Sequence, residues 1–370
     1  MQESNEKGMA VHGGEVFRLA SLSGIEPDTI IDFSANINPL GLPPGVDLAL
    51  RQALQNLSNY PEIDAVTLRS KVADRHQLPI DSVIVGNGSS ALIYLLARAL
   101  KPKKSLIWSP TFSEYERALK QVQSEVVNLN CLNPEKSISL DEIIAATVKA
   151  EPELVFLCNP NNPTGALLSI DELEKIVSIF KKAGIILVLD EAFIDFVGGE
   201  SSFVSRLDEF DNIIILRSLT KIYALAGIRC GYLVSCPEIN RLLSPFLEPW
   251  SVNSLALRAA TAALENDAEF IKQTISFIAG ERQYLSKKFA QLKYLKSYPA
   301  SANYILAQVD QNIDCGDLRD FLFIRDKIMI RLCDDYVGLG SNFVRFAVKK
   351  ESENRTLVKG LSEFQTRLEG

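Results

Sequence analysis

The run LVFLCNPNNPTGALLSIDELEKIVSIFKKAGIILVLDE, residues 154–191, decides the fold. It opens on the apolar stretch Leu154 to Cys158 and closes on another, Ile185 to Leu189. Neither stretch alternates with polar residues, so each predicts a strand buried on both faces, as in a parallel sheet covered by helices. Between them Ser169 precedes Glu172 by three residues, the spacing of a capping box that starts a helix. Leu173, Ile176, Val177 and Phe180 then share one helical face, and Gly184 stands where a glycine would end the helix. Strand, helix and strand in that order make one unit of an α/β domain.

Outward from this unit, the same kind of apolar run recurs at Val83–Val85, Ser105–Trp108 and Ile213–Leu216. From about Leu255 the texture changes. Helical patterns over roughly 255–292 and 351–368 flank strand-like stretches at Ala302–Leu306 and Phe343–Val348. The expected organisation is a large α/β domain over 45–254, and a smaller α+β domain formed by 1–44 together with 255–370.

Composition narrows the function classes. The 370 residues carry 39 Lys+Arg against 46 Asp+Glu, a net charge of −7, with 47% hydrophobic and 23% charged residues. That is a globular chain with a large core, not a disordered or fibrous one. The acidic balance argues against a broad nucleic-acid or anionic-membrane surface. No uncharged apolar run approaches the roughly 18 residues of a membrane span. The N-terminal stretch is polar, without the apolar core of a secretory signal. Six cysteines are scattered with no C-x-x-C pair, which reads as a reduced, cytoplasmic protein. The two histidines, His12 and His76, are far apart, so no metal site is expected.

Three candidate sites follow predicted strands, where open α/β sheets place ligands. Gly86-Asn87-Gly88-Ser89-Ser90 enters a helix at about Ala91; glycines let the backbone approach an anion, and the helix start offers free N–H groups. A tight turn alone would explain the glycines, and G-x-G-x-x-A also admits a dinucleotide site. Asn159-Pro160-Asn161-Asn162-Pro163-Thr164-Gly165 puts amides after a buried strand. Asp190-Glu191 puts carboxylates after the next. Downstream, Ser218-Leu219-Thr220-Lys221 follows another strand, with Arg229 eight positions on. A lysine removed from water has a depressed pKa and can form a Schiff base, and Ser218 and Arg229 could clamp a phosphate. A phosphate seat, an Asp, an Asn and such a Lys together meet the requirements of pyridoxal 5′-phosphate.

At this point the chain resembles the fold-type I pyridoxal-phosphate enzymes of the aspartate aminotransferase superfamily, in segments running from His12 to about Arg345. The resemblance implies a mostly parallel sheet covered by helices, a smaller α+β domain and a homodimer with shared active sites. It makes Lys221 the Schiff-base and proton-shuttling lysine, Asp190 the partner of the pyridine nitrogen and Asn162 the donor to the ring hydroxyl. Gly88, Ser89, Ser90, Ser218 and Arg229 would bind the cofactor phosphate, Phe112 would stack on the ring, and Tyr60 would reach the phosphate of the other subunit. Arg345 matches the arginine that binds the substrate carboxylate. Many relatives carry a tyrosine where this chain has Phe193, which leaves Asn162 as the main donor to the ring oxygen.

Within the superfamily, His12-Gly13-Gly14 and Asp32-Phe33-Ser34-Ala35-Asn36-Ile37-Asn38-Pro39-Leu40-Gly41 resemble the threonine-phosphate decarboxylases more than the histidinol-phosphate aminotransferases. The substrate implied is a small phosphorylated amino acid, with His12, Gly13, Gly14, Asn36 and Arg331 as further candidate contacts. The expected reaction is decarboxylation of O-phospho-L-threonine, as in cobalamin biosynthesis, with an O-phospho-L-serine decarboxylase or a histidinol-phosphate aminotransferase as the alternatives; a dehydrogenase would leave Lys221, Asn162 and Asp190 without a task.

Overall fold

The computed structural model describes residues 13–131, 138–265 and 267–369. A seven-stranded sheet runs in the order Val83–Gly86, Gly231–Ser235, Ile213–Ser218, Ile186–Asp190, Leu154–Cys158, Lys104–Ser109, Glu125–Asn130. From Ile213–Ser218 to Glu125–Asn130 every pairing is parallel. Gly231–Ser235 is antiparallel to both its neighbours, so Val83–Gly86 has an antiparallel partner rather than the parallel one its sequence suggests.

The unbroken apolar runs have the expected consequence. Successive strand residues point to opposite faces, and both faces are covered. Phe156, Val188 and Ile214 pack with Leu92, Leu96 and Leu119 on one side, while Val155, Leu157, Leu187 and Leu189 pack with Leu173, Ile176, Val177 and Phe180 on the other.

The helix Ile170–Lys182 starts at the Ser169–Glu172 capping box, with both reciprocal hydrogen bonds present. It ends as the sequence indicates. Gly184 adopts φ +71° and donates to Lys181, and Ile185 donates to Phe180 at 2.9 Å, so the last carbonyls find partners.

A second sheet of four antiparallel strands runs Arg331–Leu332, Phe343–Ala347, Tyr304–Val309, Leu295–Ser297. The N-terminal pair Ile31–Asp32 lies parallel to Ile328–Met329. The helical pattern over 255–292 is two helices rather than one, Ser254–Ala263 and Ala268–Phe289. The C-terminal helix runs Glu351–Glu369. Among the described residues no helix is long and apolar enough to cross a membrane.

Candidate active site

The parallel strands of the large sheet end at a common edge. Asp190, the last residue of Ile186–Asp190, is 4% exposed. The Tyr115 hydroxyl donates to its Oδ2 at 2.6 Å and the Ala192 N–H to its Oδ1 at 2.9 Å. Burial pushes this carboxyl up, opposed by those two hydrogen bonds and by the charge of Lys221. The carboxylate keeps lone pairs for a further cationic N–H.

Lys221 lies in the short helix Leu219–Ile222, directly after the strand Ile213–Ser218. Desolvation, then the cations of Arg229 and Arg345, lower its ammonium to about 8, against the opposing pull of Asp190. A lysine so placed has an appreciable free-amine fraction near neutral pH, which is what a nucleophile needs. Its turn is pinned from the N-terminal segment: Asn38 N–H donates to the Lys221 carbonyl, and Asn38 Nδ2 donates to Ile222 O at 2.7 Å and Thr274 Oγ1 at 3.0 Å. Asn38 is therefore a brace for the lysine.

The glycine turn is shaped by close approach. Gly88 has φ +83°, and a Cβ there would lie 2.7 Å from Arg229 Nη2. A Cβ on Gly231 would lie 2.6 Å from Ser89 N and 2.8 Å from Arg217 O. Gly231 is the register partner of Ser218. The two glycines thus let Arg229, Ser218, the Gly88 turn and the first turn of the helix Ser89–Leu100 converge, with Ser90 next in that turn. A guanidinium, hydroxyls and free helix N–H groups in one cradle form an anion seat. The Ser218 hydroxyl bonds Thr220 at 2.6 Å.

Asn162 closes the other side. Its Oδ1 accepts from Arg345 Nη1 and from the Tyr336 hydroxyl at 3.3 Å, which leaves the amide NH2 as the end able to donate elsewhere. Arg345 Nη2 also donates to the Ser34 carbonyl at 2.5 Å. Phe193 stands edge-on to Tyr304 at 5.0 Å, and Tyr304 donates to Asn161 O at 2.9 Å. Phe112 meets Tyr115, the partner of Asp190, at 5.7 Å.

The remaining candidates divide. Gly13 presses on Ser34, where a Cβ would sit 2.2 Å from the carbonyl oxygen and 3.4 Å from Arg345 Nη2. The Gly14 N–H donates to Ser34 Oγ at 2.8 Å, and Asp32 Oδ1 holds the Ser34 turn. Asn36 is 4% exposed with Oδ1 unpartnered among the described residues. Arg331 is buried and ion-paired to Asp335 at 2.7 Å. His12 lies outside the described residues. Tyr60 is 82% exposed and packs on Trp250 at 4.8 Å, at a surface groove of ≈ 690 Å³. Within this chain it is not joined to the cluster around Lys221.

Sequence reasoning missed Tyr115, Tyr304, Tyr336 and Asp335. A signal existed for Tyr115, three positions after Phe112 at the start of the helix Glu114–Gln121, and for Asp335, four positions after Arg331. Nothing local marks Tyr304 or Tyr336.

The assembled groups fit pyridoxal 5′-phosphate. The cradle at Gly88, which any Cβ would close, suits its phosphate; Lys221 suits its aldehyde and Asp190 its ring nitrogen. Among the described residues no grouping of three or more His, Cys, Asp and Glu side chains could hold a metal ion.

The family model for aminotransferase class I and II matches residues 28–361. Threonine-phosphate decarboxylase of Salmonella typhimurium is 37% identical over 96% of this chain and 97% of its own. Among solved structures, histidinol-phosphate aminotransferase from Clostridium acetobutylicum matches with TM-score 0.83 and 30% identity, over 90% of this chain and 99% of that one. L-threonine-O-3-phosphate decarboxylase from Porphyromonas gingivalis matches with TM-score 0.81 and 25% identity over the same shares, 90% and 99%. The fold is that of the fold-type I pyridoxal-phosphate enzymes. With the match covering most of the chain and the site suited to the cofactor, this protein is a pyridoxal-phosphate-dependent enzyme and belongs to the aminotransferase class I and II family.

Proposed function

We propose that this enzyme decarboxylates O-phospho-L-threonine to (R)-1-aminopropan-2-yl phosphate and CO2, the reaction that supplies the aminopropanol linker in cobalamin biosynthesis. The observation that carries the reading is a pair of arginines. Arg331 and Arg345 are register partners on adjacent strands beside Asn162, and two cation positions suit a substrate with a carboxylate and a phosphate. Similarity to threonine-phosphate decarboxylase over nearly the whole chain supports it.

Bound in the site, pyridoxal 5′-phosphate supplies the electron sink for the bond broken at Cα. The chain's own residues do the rest. Gly88, Ser89, Ser90, Ser218 and Arg229 anchor the cofactor's phosphate, Phe112 covers the ring, Asn162 donates to its hydroxyl, and Asp190 holds a proton on its nitrogen. Lys221 would hold the cofactor's aldehyde and, with substrate bound, would return a proton to Cα. Arg345 would grip the substrate carboxylate and fix its orientation, which selects the bond that breaks. His12, Gly13, Gly14, Asn36 and Arg331 receive the distal phosphate and exclude water.

The same reading assigns the catalytic groups to a large domain over 45–254 and the substrate's anion contacts to a smaller one, 1–44 with 255–370. It makes the protein a cytoplasmic homodimer in which Tyr60 crosses to the partner's cofactor phosphate. Support comes from the apolar side chains left exposed beside Tyr60, namely Leu57 and Trp250.

Similarity to a histidinol-phosphate aminotransferase favours the main competitor. Both are tested by offering O-phospho-L-threonine, O-phospho-L-serine and histidinol phosphate, each with and without a 2-oxoacid acceptor. Stoichiometric CO2 and aminopropyl phosphate, independent of acceptor, are expected from phosphothreonine. Acceptor-dependent product from histidinol phosphate with no CO2 from either phospho-amino acid would overturn the proposal.

A further inference from the structure

Arg331 and Arg345 face one another across the antiparallel pair, and both are buried. Directly opposed positions bring like charges close enough to repel. Their partners differ. Among the described residues Arg345 is held by neutral groups: Asn162 Oδ1, the Ser34 carbonyl at 2.5 Å, the Tyr336 hydroxyl at 3.4 Å and the Tyr304 ring face at 5.5 Å. Its Nε has no hydrogen-bond partner among the described residues. Arg331 instead places Nη2 against both oxygens of Asp335, at 2.8 and 2.7 Å, with its guanidinium over the Tyr336 ring at 5.1 Å. Among the described residues, Asp335 is the one carboxylate bonded to either arginine.

We infer that Asp335 is a specificity-determining residue, an internal counter-anion that occupies Arg331 in the substrate-free protein and competes with the substrate's phosphate for it. The inference rests on the phosphorylated substrate proposed above and adds the residue that limits its affinity. A phosphate that binds Arg331 through Nη2 must take hydrogens that Asp335 holds. Asp335 has somewhere to go: its side chain is 24% exposed, against 7% for Arg331, so it can turn to water while the arginine stays. A substrate dianion next to an unmoved carboxylate would be repelled. A ligand bearing only a carboxylate, seated on Arg345, meets no such competitor. Asp335 therefore weakens binding of the distal anion selectively, and in its absence balances two neighbouring buried cations.

The test uses cofactor-loaded protein and inorganic phosphate as probe, titrated by calorimetry. Freeing a charge-assisted donor predicts that Asp335→Asn binds phosphate about tenfold more tightly than the parent. KM for O-phospho-L-threonine should fall by a similar factor, with kcat changing much less, while affinity for unphosphorylated L-threonine stays near the parent's. Asp335→Glu keeps the charge and should keep the parent's phosphate affinity. Should Asp335→Asn fail to fold, Asp335→Ser carries the same expectation. Phosphate affinity unchanged or weaker in the neutral variants overturns the inference, and so does an equal gain for L-threonine. If the parent releases no CO2 from O-phospho-L-threonine, the proposed function fails, and the phosphate titration still decides the role of Asp335.

Discussion

Asp190, Lys221 and Gly88 each stand at the end of a strand of the large sheet or in the turn that follows it. Arg345, Ser34 and Gly13 meet quite differently, from a strand of the second sheet, an N-terminal turn and the segment before it; the hydrogen bond from Arg345 to Ser34 joins residues 311 apart. The first group is the floor of the site and the second its rim. The floor inherits its geometry from hydrogen-bonded strands and from glycines that admit close approach. The rim exists only once distant segments have docked. A floor of this kind can hold one cofactor rigidly, while a rim of this kind can change what is bound above it without disturbing the sheet.

The largest effect expected from the floor comes at Lys221. Lys221→Met should reduce turnover by more than about a thousandfold, because the proposed function gives this lysine both the attachment of the cofactor and the proton transfer. In the cofactor-free protein, where this lysine is a free amine, the same substitution should raise thermal stability at pH 7. The folded-state pKa of about 8 lies below the ordinary 10.5, so between those values the unfolded chain binds more protons and parent stability rises with pH. The cost of burying the ammonium is full below pH 8 and gone above 10.5. The gain in Tm from Lys221→Met should shrink across that window; a gain that does not vary with pH would show that charge burial is not its source.

A smaller effect sharpens the boundary of the floor. Tyr115→Phe removes one of two hydrogen bonds on Asp190 and leaves the ring stacked on Phe156. The lost bond held the carboxyl down, so its pKa should move further up, and cofactor affinity should fall about tenfold. Titration of Asp190 by carbon NMR in the apoprotein checks the first part and absorbance titration the second. An Asp190 pKa that does not rise would make Tyr115 a packing residue only.

Floor and rim also differ in how far the sequence discloses them. Ser169 with Glu172, the apolar face through Phe180, and Gly184 before Ile185 are local signals, and each does in the structure what its chemistry requires. Asp190 and Lys221 were legible because each interrupts or closes an apolar run. The edge strand Glu125–Asn130 was not, since its residues are half exposed and mix polar with apolar side chains. The break between Ala263 and Ala268 also escaped, because the apolar period carries across it; only Glu265 and Asp267 marked it. At the rim, Arg345 was identified by its surrounding residues, but Tyr304, Tyr336 and Ser34 touch it through tertiary docking that no short window records.

The separation of floor from rim is tested most directly by titrating pyridoxal 5′-phosphate into apoprotein carrying Arg345→Gln, alongside kcat/KM for O-phospho-L-threonine. Loss of a bidentate carboxylate contact predicts a fall in kcat/KM of more than about a hundredfold, with cofactor affinity within about threefold of the parent. Cofactor affinity falling in step with kcat/KM would contradict the account, because Arg345 would then belong to the floor.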